Sequence, residues 1–329
     1  MTKQLGETPM KNPSVAPVLC LGEALIDVIS RTGQATEEHV GGSPLNVACG
    51  LAQLGHPTLM ASWWGADRHG KMIADHLNAA GVGIVDGSDQ AAQTPIADAQ
   101  IDINGQATYH FDLDWQVPEL PAMADIAHLH IGSFGATLEP GAEEVLAAAK
   151  AMAITGTLSY DPNARPSIMG DPEKVRERVE VLIGLSDLVK ASDEDVAWLY
   201  GPDTPLEEVL RRWLELGAGM VVITRGPWGA YAKVAGDRDM LVVDPLNIEV
   251  ADTVGAGDSF MAGLISGLLD AGLLGSAQAK TRLRQATLAD VRKALHRGVI
   301  TSGLTVSRAG AYAPDRACIK QVQTANPQL

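Results

Sequence analysis

Cysteine is scarce in this chain. Cys20, Cys49 and Cys318 are the three it has in 329 residues; an odd number at wide spacing excludes a disulfide framework and a zinc cluster and fits idle thiols in a reducing compartment. Basic charge is short as well: 25 Lys and Arg stand against 40 Asp and Glu, a formal net charge of −15. A nucleic-acid partner, which needs a broad basic surface, is thereby excluded, whereas a small anionic ligand needs only a local pocket. Long apolar runs are also missing. The N-terminal apolar stretch is broken by Pro17, Gly22, Glu23 and Asp27 and lacks the basic start and continuous centre of a signal peptide. No later segment reaches membrane-spanning length without charge or repeated glycine. A soluble, cytoplasmic protein with no membrane partner is expected, and no internal repeat or low-complexity tract alters that expectation.

What is present is an alternation of strands and helices. Apolar runs at Val15–Leu21, Thr58–Trp63, Ile126–Ile131, Ile154–Tyr160, Leu185–Lys190 and Met220–Thr224 are separated by stretches of helical spacing. Among these are Leu45–Leu54 closed by Gly55, Glu143–Met152, Pro172–Ile183 and Pro205–Leu216. Such alternation predicts right-handed crossovers and a mostly parallel sheet covered on both faces, an α/β fold. Two segments break the rhythm, about 26–40 and about 94–115. In the second, Ile96–Ile103 and Ala107–Phe111 are strand-like and joined at Asn104-Gly105, a strong hairpin signal. We read them as a small β-sheet lid inserted in one domain spanning 15–315, with 1–14 and 316–329 as tails.

The most informative stretch is Asp252-Thr253-Val254-Gly255-Ala256-Gly257-Asp258, followed by Met261, Leu264 and Leu268 at helical spacing. Glycines before a helix let backbone amides converge on an anion at the positive end of the helix dipole. A carboxylate beside that anion hole suits proton removal from an attacking hydroxyl, so Asp258 reads as catalytic base and Gly255, Ala256 and Gly257 as the anion hole. Alone, Asp258 would read better as a helix N-cap after a loop; its company elsewhere in the chain shifts the reading. Gly41-Gly42-Ser43-Pro44-Leu45-Asn46 precedes another helix, with Asn46 able to donate to and accept from a hydroxylated ligand. Asp27 lies where open α/β sheets place ligand contacts. Gly65-Ala66-Asp67-Arg68-His69-Gly70-Lys71 approaches a nucleotide P-loop, but Met72 replaces the metal-binding hydroxyl and Asp67 would sit among phosphates, so it is rejected. Thr224-Arg225-Gly226-Pro227-Trp228-Gly229 follows a strand as a turn able to meet a nucleotide.

Taken in this order, Gly41–Asn46, Gly65-Ala66-Asp67 with Gly70, Thr224–Gly229 and Asp252–Asp258 resemble the ribokinase/PfkB carbohydrate kinases over about Val18 to Ala313. His130-Ile131-Gly132-Ser133, Asp161–Arg165 and Lys190–Glu194 look most like the fructokinase branch. The resemblance implies a ribokinase-like three-layer α/β/α fold with ATP and magnesium as cofactors. It implies Asp27, Gly41, Gly42, Asn46 and Arg165 as sugar contacts, and Lys190, Thr224, Gly226 and Gly229 as nucleotide contacts. It also implies a monovalent-cation loop, for potassium, at Asp252 with carbonyls near Val254 and in Ser307–Ala311. Two departures stand out. Ser192 and Asp195 occupy the family's Asn-x-x-Glu near magnesium, so metal organisation is expected to differ in detail; Val299 replaces an asparagine near the adenine, leaving base recognition open.

The expected reaction is phosphorylation of fructose to fructose 6-phosphate. A 2-keto-3-deoxygluconate or nucleoside kinase is the second reading, with Arg165, Arg31 or Arg68 as partner for an acid substrate's carboxylate. A sugar sensor without catalysis is the third. A second copy of the chain pairing through the lid is the expected partner beyond sugar and ATP.

Overall fold

The computed structural model describes residues 16–31, 33–101 and 107–328. The chain runs β1 (Val18–Leu21), β2 (Leu25–Arg31), β3 (Glu37–Gly41), α1 (Ser43–Gln53), β4 (Thr58–Ala61), α2 (Arg68–Ala80), β5 (Gly83–Ile84), β6 (Ile96–Ile101), β7 (Ala107–Asp112), β8 (His128–Gly132), α3 (Gly141–Thr155) and β9 (Thr157–Asp161). It continues through α4 (Pro166–Met169), α5 (Pro172–Leu185), β10 (Leu188–Ser192), α6 (Asp193–Tyr200), α7 (Leu206–Leu216), β11 (Met220–Thr224), β12 (Ala230–Val234), β13 (Leu241–Val243), α8 (Ala256–Asp270), α9 (Ala277–Gln285), α10 (Leu288–Val306) and α11 (Arg316–Ala325).

The main sheet has nine strands in the order β13-β12-β11-β10-β9-β8-β1-β4-β5. All its pairs from β11 to β5 are parallel; β12 alone is reversed, pairing antiparallel with both β11 and β13. Because side chains alternate along a strand, each buried strand feeds two cores. Val18, Cys20, Leu188 and Val222 pack with residues of α1, α8 and α10 on one face. Leu19, Leu21, Leu158, Val189 and Val221 pack with residues of α3, α5 and α7 on the other. The predicted three-layer α/β/α arrangement is therefore what these strands build.

The predicted lid is a second sheet of four strands, order β3-β2-β6-β7. It springs from β1 through Gly22–Ala24 and returns into α1. β2 pairs antiparallel with β3 and parallel with β6, placing Asp27 opposite His39 and Ala97. Asn104-Gly105, the predicted turn, lies outside the described residues, as does the tail 1–14. The other expected tail needs correction: Arg316–Ala325 is a helix, capped by Asp315 accepting from the Cys318 amide at 2.8 Å. Its Ile319 is buried against Leu54 and Ile300, an apolar face that a loose tail would leave in water.

Candidate active site

The parallel strands β1, β8, β9, β10 and β11 all end on one side, the side on which open α/β sheets collect ligands. Onto that edge α8 points its N-terminus. Its first turn starts at Gly255, whose φ of 73° is left-handed backbone that favours glycine, and a Cβ there would lie 2.6 Å from the Ala311 Cβ. Ala256 donates its amide to the Thr253 carbonyl at 3.2 Å, so this member of the expected anion hole is already engaged. The amides of Gly255 and Gly257 have no backbone acceptor among the described residues, which leaves them able to donate to an anion at the helix start.

Asp258 follows on the same turn, 9% exposed. Ser43 Oγ donates to its Oδ1 at 2.7 Å and Asn46 Nδ2 donates to its Oδ2 at 2.8 Å. Ser43 and Asn46 are three apart on α1 and so share one helix face; together they fix the carboxylate plane. Asn46, expected to hold a sugar hydroxyl, thus orients Asp258, and Ser43 was not anticipated. The spacing of a Ser and an Asn three apart beside paired glycines was the available signal. The glycines themselves are spacers: Gly42, at φ 121°, passes so close to Glu23 that a Cβ would lie 2.4 Å from its carbonyl oxygen, and a Cβ on Gly41 would lie 2.2 Å from Asp27 Oδ2.

Three charged groups face one another where the lid meets the sheet. Burial raises the pKa of Asp27, with His39 and Arg165 opposing it. Glu23, at the end of β1, is 4% exposed and accepts from the amides of Ser43 (3.4 Å) and Gly135 (3.2 Å); burial pushes it up to about 7 despite hydrogen bonds and Arg165. Arg165 is therefore the arginine that senses both carboxylates. Arg31 and Arg68, the other candidates for an acid substrate, are bound to Glu37 (3.0 Å) and Glu38.

The residues expected to meet the nucleotide line the next strand ends. Thr224 closes β11 beside Ser192 of β10, and Gly226–Trp228 forms a single tight turn with Gly226 and Gly229 both at positive φ. A Cβ on Gly229 would lie 2.0 Å from the Val243 carbonyl oxygen. Asp252 accepts from the amides of Val254 (3.0 Å) and Gly310 (2.8 Å), joining the two loops expected to cradle a monovalent cation; those hydrogen bonds, Gly310 first, lower its pKa. The rejected P-loop is accounted for: Asp67 caps α2 at the Gly70 amide (2.8 Å) and also accepts from Thr94.

Two of the expected contacts, Asp195 and Lys190, are engaged within the protein. Asp195 does not present a free carboxylate for magnesium, because its oxygens accept from the amides of Ala164 and Ser192, each at 2.7 Å; it caps α6 and pins the loop after β9. Lys190 is buried at 3% exposure and pairs with Asp161 at 2.7 Å, turned to the protein rather than to an open nucleotide site. Val299 is 4% exposed within the core and offers nothing to a nucleobase.

This geometry meets its relatives in sequence: residues 16–318 match the pfkB family carbohydrate kinase. The chain belongs to the pfkB carbohydrate kinases. It is similar to a fructokinase of Rhizobium leguminosarum bv. trifolii, 33% identical over 282 residues, covering 82% of this chain and 85% of the relative. Its fold resembles fructokinase from Xylella fastidiosa with bound ATP, TM-score 0.80 at 22% identity, covering 95% of this chain and all of that one. It also resembles a fructokinase double mutant from Vibrio cholerae O395 bound to fructose, ADP and potassium, TM-score 0.75 at 24% identity, covering 94% of this chain and 99% of that one. As a pfkB carbohydrate kinase the protein is a phosphotransferase.

Proposed function

We propose that this kinase transfers the γ-phosphoryl group of ATP to a hydroxyl of fructose, giving fructose 6-phosphate, with Asp258 as general base. The observation that carries the reading is the aligned, buried carboxylate of Asp258 beside the unengaged amides of Gly255 and Gly257. The acceptor hydroxyl lies between Asp258 and the lid, where Asp27, Gly41 and Arg165 face it. Asp258 takes its proton as the oxygen attacks, and the two amides hold the charge on the migrating group. Thr224, Gly226 and Gly229 hold the nucleotide. No cluster of three or more His, Cys, Asp and Glu suited to a metal occurs among the described residues, so magnesium would need the nucleotide's phosphate oxygens as ligands; when bound it neutralises their charge. Potassium would sit between the loops that Asp252 joins. The fructokinase relatives, one of them bound to fructose, ADP and potassium, support this choice of substrate and cofactors.

The lid's outer strands β3 and β7 have no strand neighbour on their far sides among the described residues; pairing there with a second copy is part of the proposal, read out by sedimentation equilibrium. The test of substrate is an ADP-release screen with magnesium and potassium over fructose, ribose, 2-keto-3-deoxygluconate and nucleosides. Fructose turned over well above the rest is expected. Preference for the sugar acid would instead assign Arg165 to a substrate carboxylate, and sugar binding without turnover would make the protein a sensor.

A further inference from the structure

Helix α1 begins without a cap of its own. The residue ahead of it is Gly42, which has no side chain to offer, and the first turn carries no acidic residue. The amides at its start therefore lack the acceptor that Ser, Thr, Asp or Asn normally supplies. None of those fits at 42: Gly42 stands at φ 121°, and a Cβ there would lie 2.4 Å from the Glu23 carbonyl oxygen. The acceptor comes instead from just beyond β1. The Glu23 carboxylate, 4% exposed, takes the Ser43 amide on Oε1 at 3.4 Å and the Gly135 amide on Oε2 at 3.2 Å. One side chain thus ties the end of β1 to the start of α1 and to the turn after β8, with its charge at the positive end of the helix dipole. The packing around it is close: a Cβ on Gly135 would lie 2.9 Å from Glu23 Oε2, and one on Gly22 would lie 2.4 Å from Pro44 Cγ. The residue capped in this way is also the one that grips Asp258. Ser43 Oγ donates to Asp258 at 2.7 Å, and Asn46, three residues on, donates at 2.8 Å, so a shift of this one turn moves both donors together.

A carboxylate in this place is costly to ionise. Burial pushes Glu23 up to about 7, against hydrogen bonds from its own amide, Ser133 and Gly135 and against the charge of Arg165. Neither α1 nor the turn Ser133–Ala136 carries a charged side chain; Arg165 is the charge that bears on Glu23, and Asp27 of β2 shares that arginine. Ionised, the carboxylate accepts from both amides. Protonated, it turns an O–H donor towards one of the two N–H groups, and that bond is lost.

We infer that Glu23 is a positioning residue for Asp258: its carboxylate seats the first turn of α1 so that Ser43 and Asn46 hold the base in line, and it touches neither sugar nor nucleotide itself. This rests on the kinase reading above. Glu23→Gln keeps the size but has one acceptor oxygen and an NH2 group in place of two acceptors, which fixes the uncharged state. Near pH 8 its kcat should be about 3- to 30-fold below wild type, the span that loss of a helix cap allows, with KM for fructose and for ATP little changed. The pH profile of kcat/KM reports groups of the free enzyme; in wild type it should fall as pH drops through about 7, and in Glu23→Gln that limb should be absent. A folded variant with wild-type kcat near pH 8 overturns the inference, as does an acid limb near pH 7 that persists in the variant. A raised KM for fructose at unchanged kcat also overturns it, because it marks a sugar contact. If Glu23→Gln does not fold, hydrogen exchange of the wild-type protein decides. Protection of residues 43–46, corrected for the intrinsic rate, should be lower near pH 6 than near pH 8, while the later turns of α1 stay level; equal protection at both overturns the inference. The same measurement separates it from the kinase reading. Wild-type protein that turns over no sugar but shows this change in protection sinks the kinase reading and leaves Glu23 seating α1, and wild-type protein with neither property overturns both.

Discussion

Asp258 carries the heaviest demand of any single residue. A positioned carboxylate base contributes about 10²- to 10⁴-fold in rate, so Asp258→Asn, which keeps the shape and, with its amide NH2 turned to Ser43 Oγ as acceptor, the bond from Asn46, should lower kcat by about that factor. Nucleotide affinity should persist, since the amides and the Thr224–Gly229 turn are unaltered. Turnover close to wild type, in protein with an unchanged melting temperature, would remove Asp258 from its role. Gly255 is a second test of the same turn. Its left-handed φ costs a non-glycine residue roughly 1 kcal/mol, and a Cβ would also press on Ala311, the neighbour that a shift of the turn must displace. Gly255→Ala is expected to lower kcat more than it lowers the melting temperature, because the strain falls on the loop rather than the core. Gly255 and Asp258 were both legible in the sequence, since helix-start chemistry is local. Ser43 and Asp161 were not: each acquires its role only from a partner far along the chain, Asp258 for Ser43 and Lys190 for Asp161.

Among elements, the pairing of α8 with α10 decides how rigidly that turn is held. Small residues let the two helices approach: a Cβ on Gly267 would lie 2.5 Å from the Cα of Ala294, and one on Gly263 would lie 2.3 Å from Thr301 Oγ1. Thr301 in turn donates to the Ser259 carbonyl at 2.7 Å, just beyond Asp258. Gly267→Leu inserts a side chain where backbone is already in contact, and such overpacking typically costs about 1–3 kcal/mol. The expected outcome is a lower melting temperature together with a fall in kcat; a variant as stable as wild type would show that the interface yields cheaply. The same elements show what pattern alone conveys. Strands with uniformly apolar runs, such as β11, were legible because a strand buried on both faces has no polar residues to hide it. The short β12 and β13 were not predicted, since AYAKV and LVV are too brief to show a period. α11 was missed because only a few apolar residues, Ile319 and Val322 among them, carry its buried face, and their partners Leu54 and Ile300 lie elsewhere in the chain.

For the molecule as a whole, the last helix closes the chain back on its first half. Arg316 places two guanidinium nitrogens on Asp270, at 2.7 and 3.0 Å, and also donates to the Leu54 carbonyl; Arg297 adds a third contact to Asp270 at 2.7 Å. One carboxylate thus ties α8, α10 and α11 together. Burial acts to raise the pKa of Asp270, but Arg316 and Arg297 outweigh it and hold it at about 2. A folded pKa below the ordinary 3.8 means that the unfolded chain binds the proton first as pH falls. The stabilisation is complete above about 3.8 and is lost as pH drops through about 2. Because these groups are partly open to water, screening limits the gain to roughly 1 kcal/mol, equivalent to about 2 °C in a chain of this size. Asp270→Asn should melt about that much lower at pH 7, and the gap should close as pH falls from about 4 to about 2. Protease cleavage ahead of Arg316 should quicken in the variant at neutral pH, since α11 loses its main polar tether while Ile319 keeps its apolar contact. A melting gap that persists unchanged at the lowest pH would mean that Asp270 acts through packing, and that the charge on the carboxylate is not what holds the three helices together.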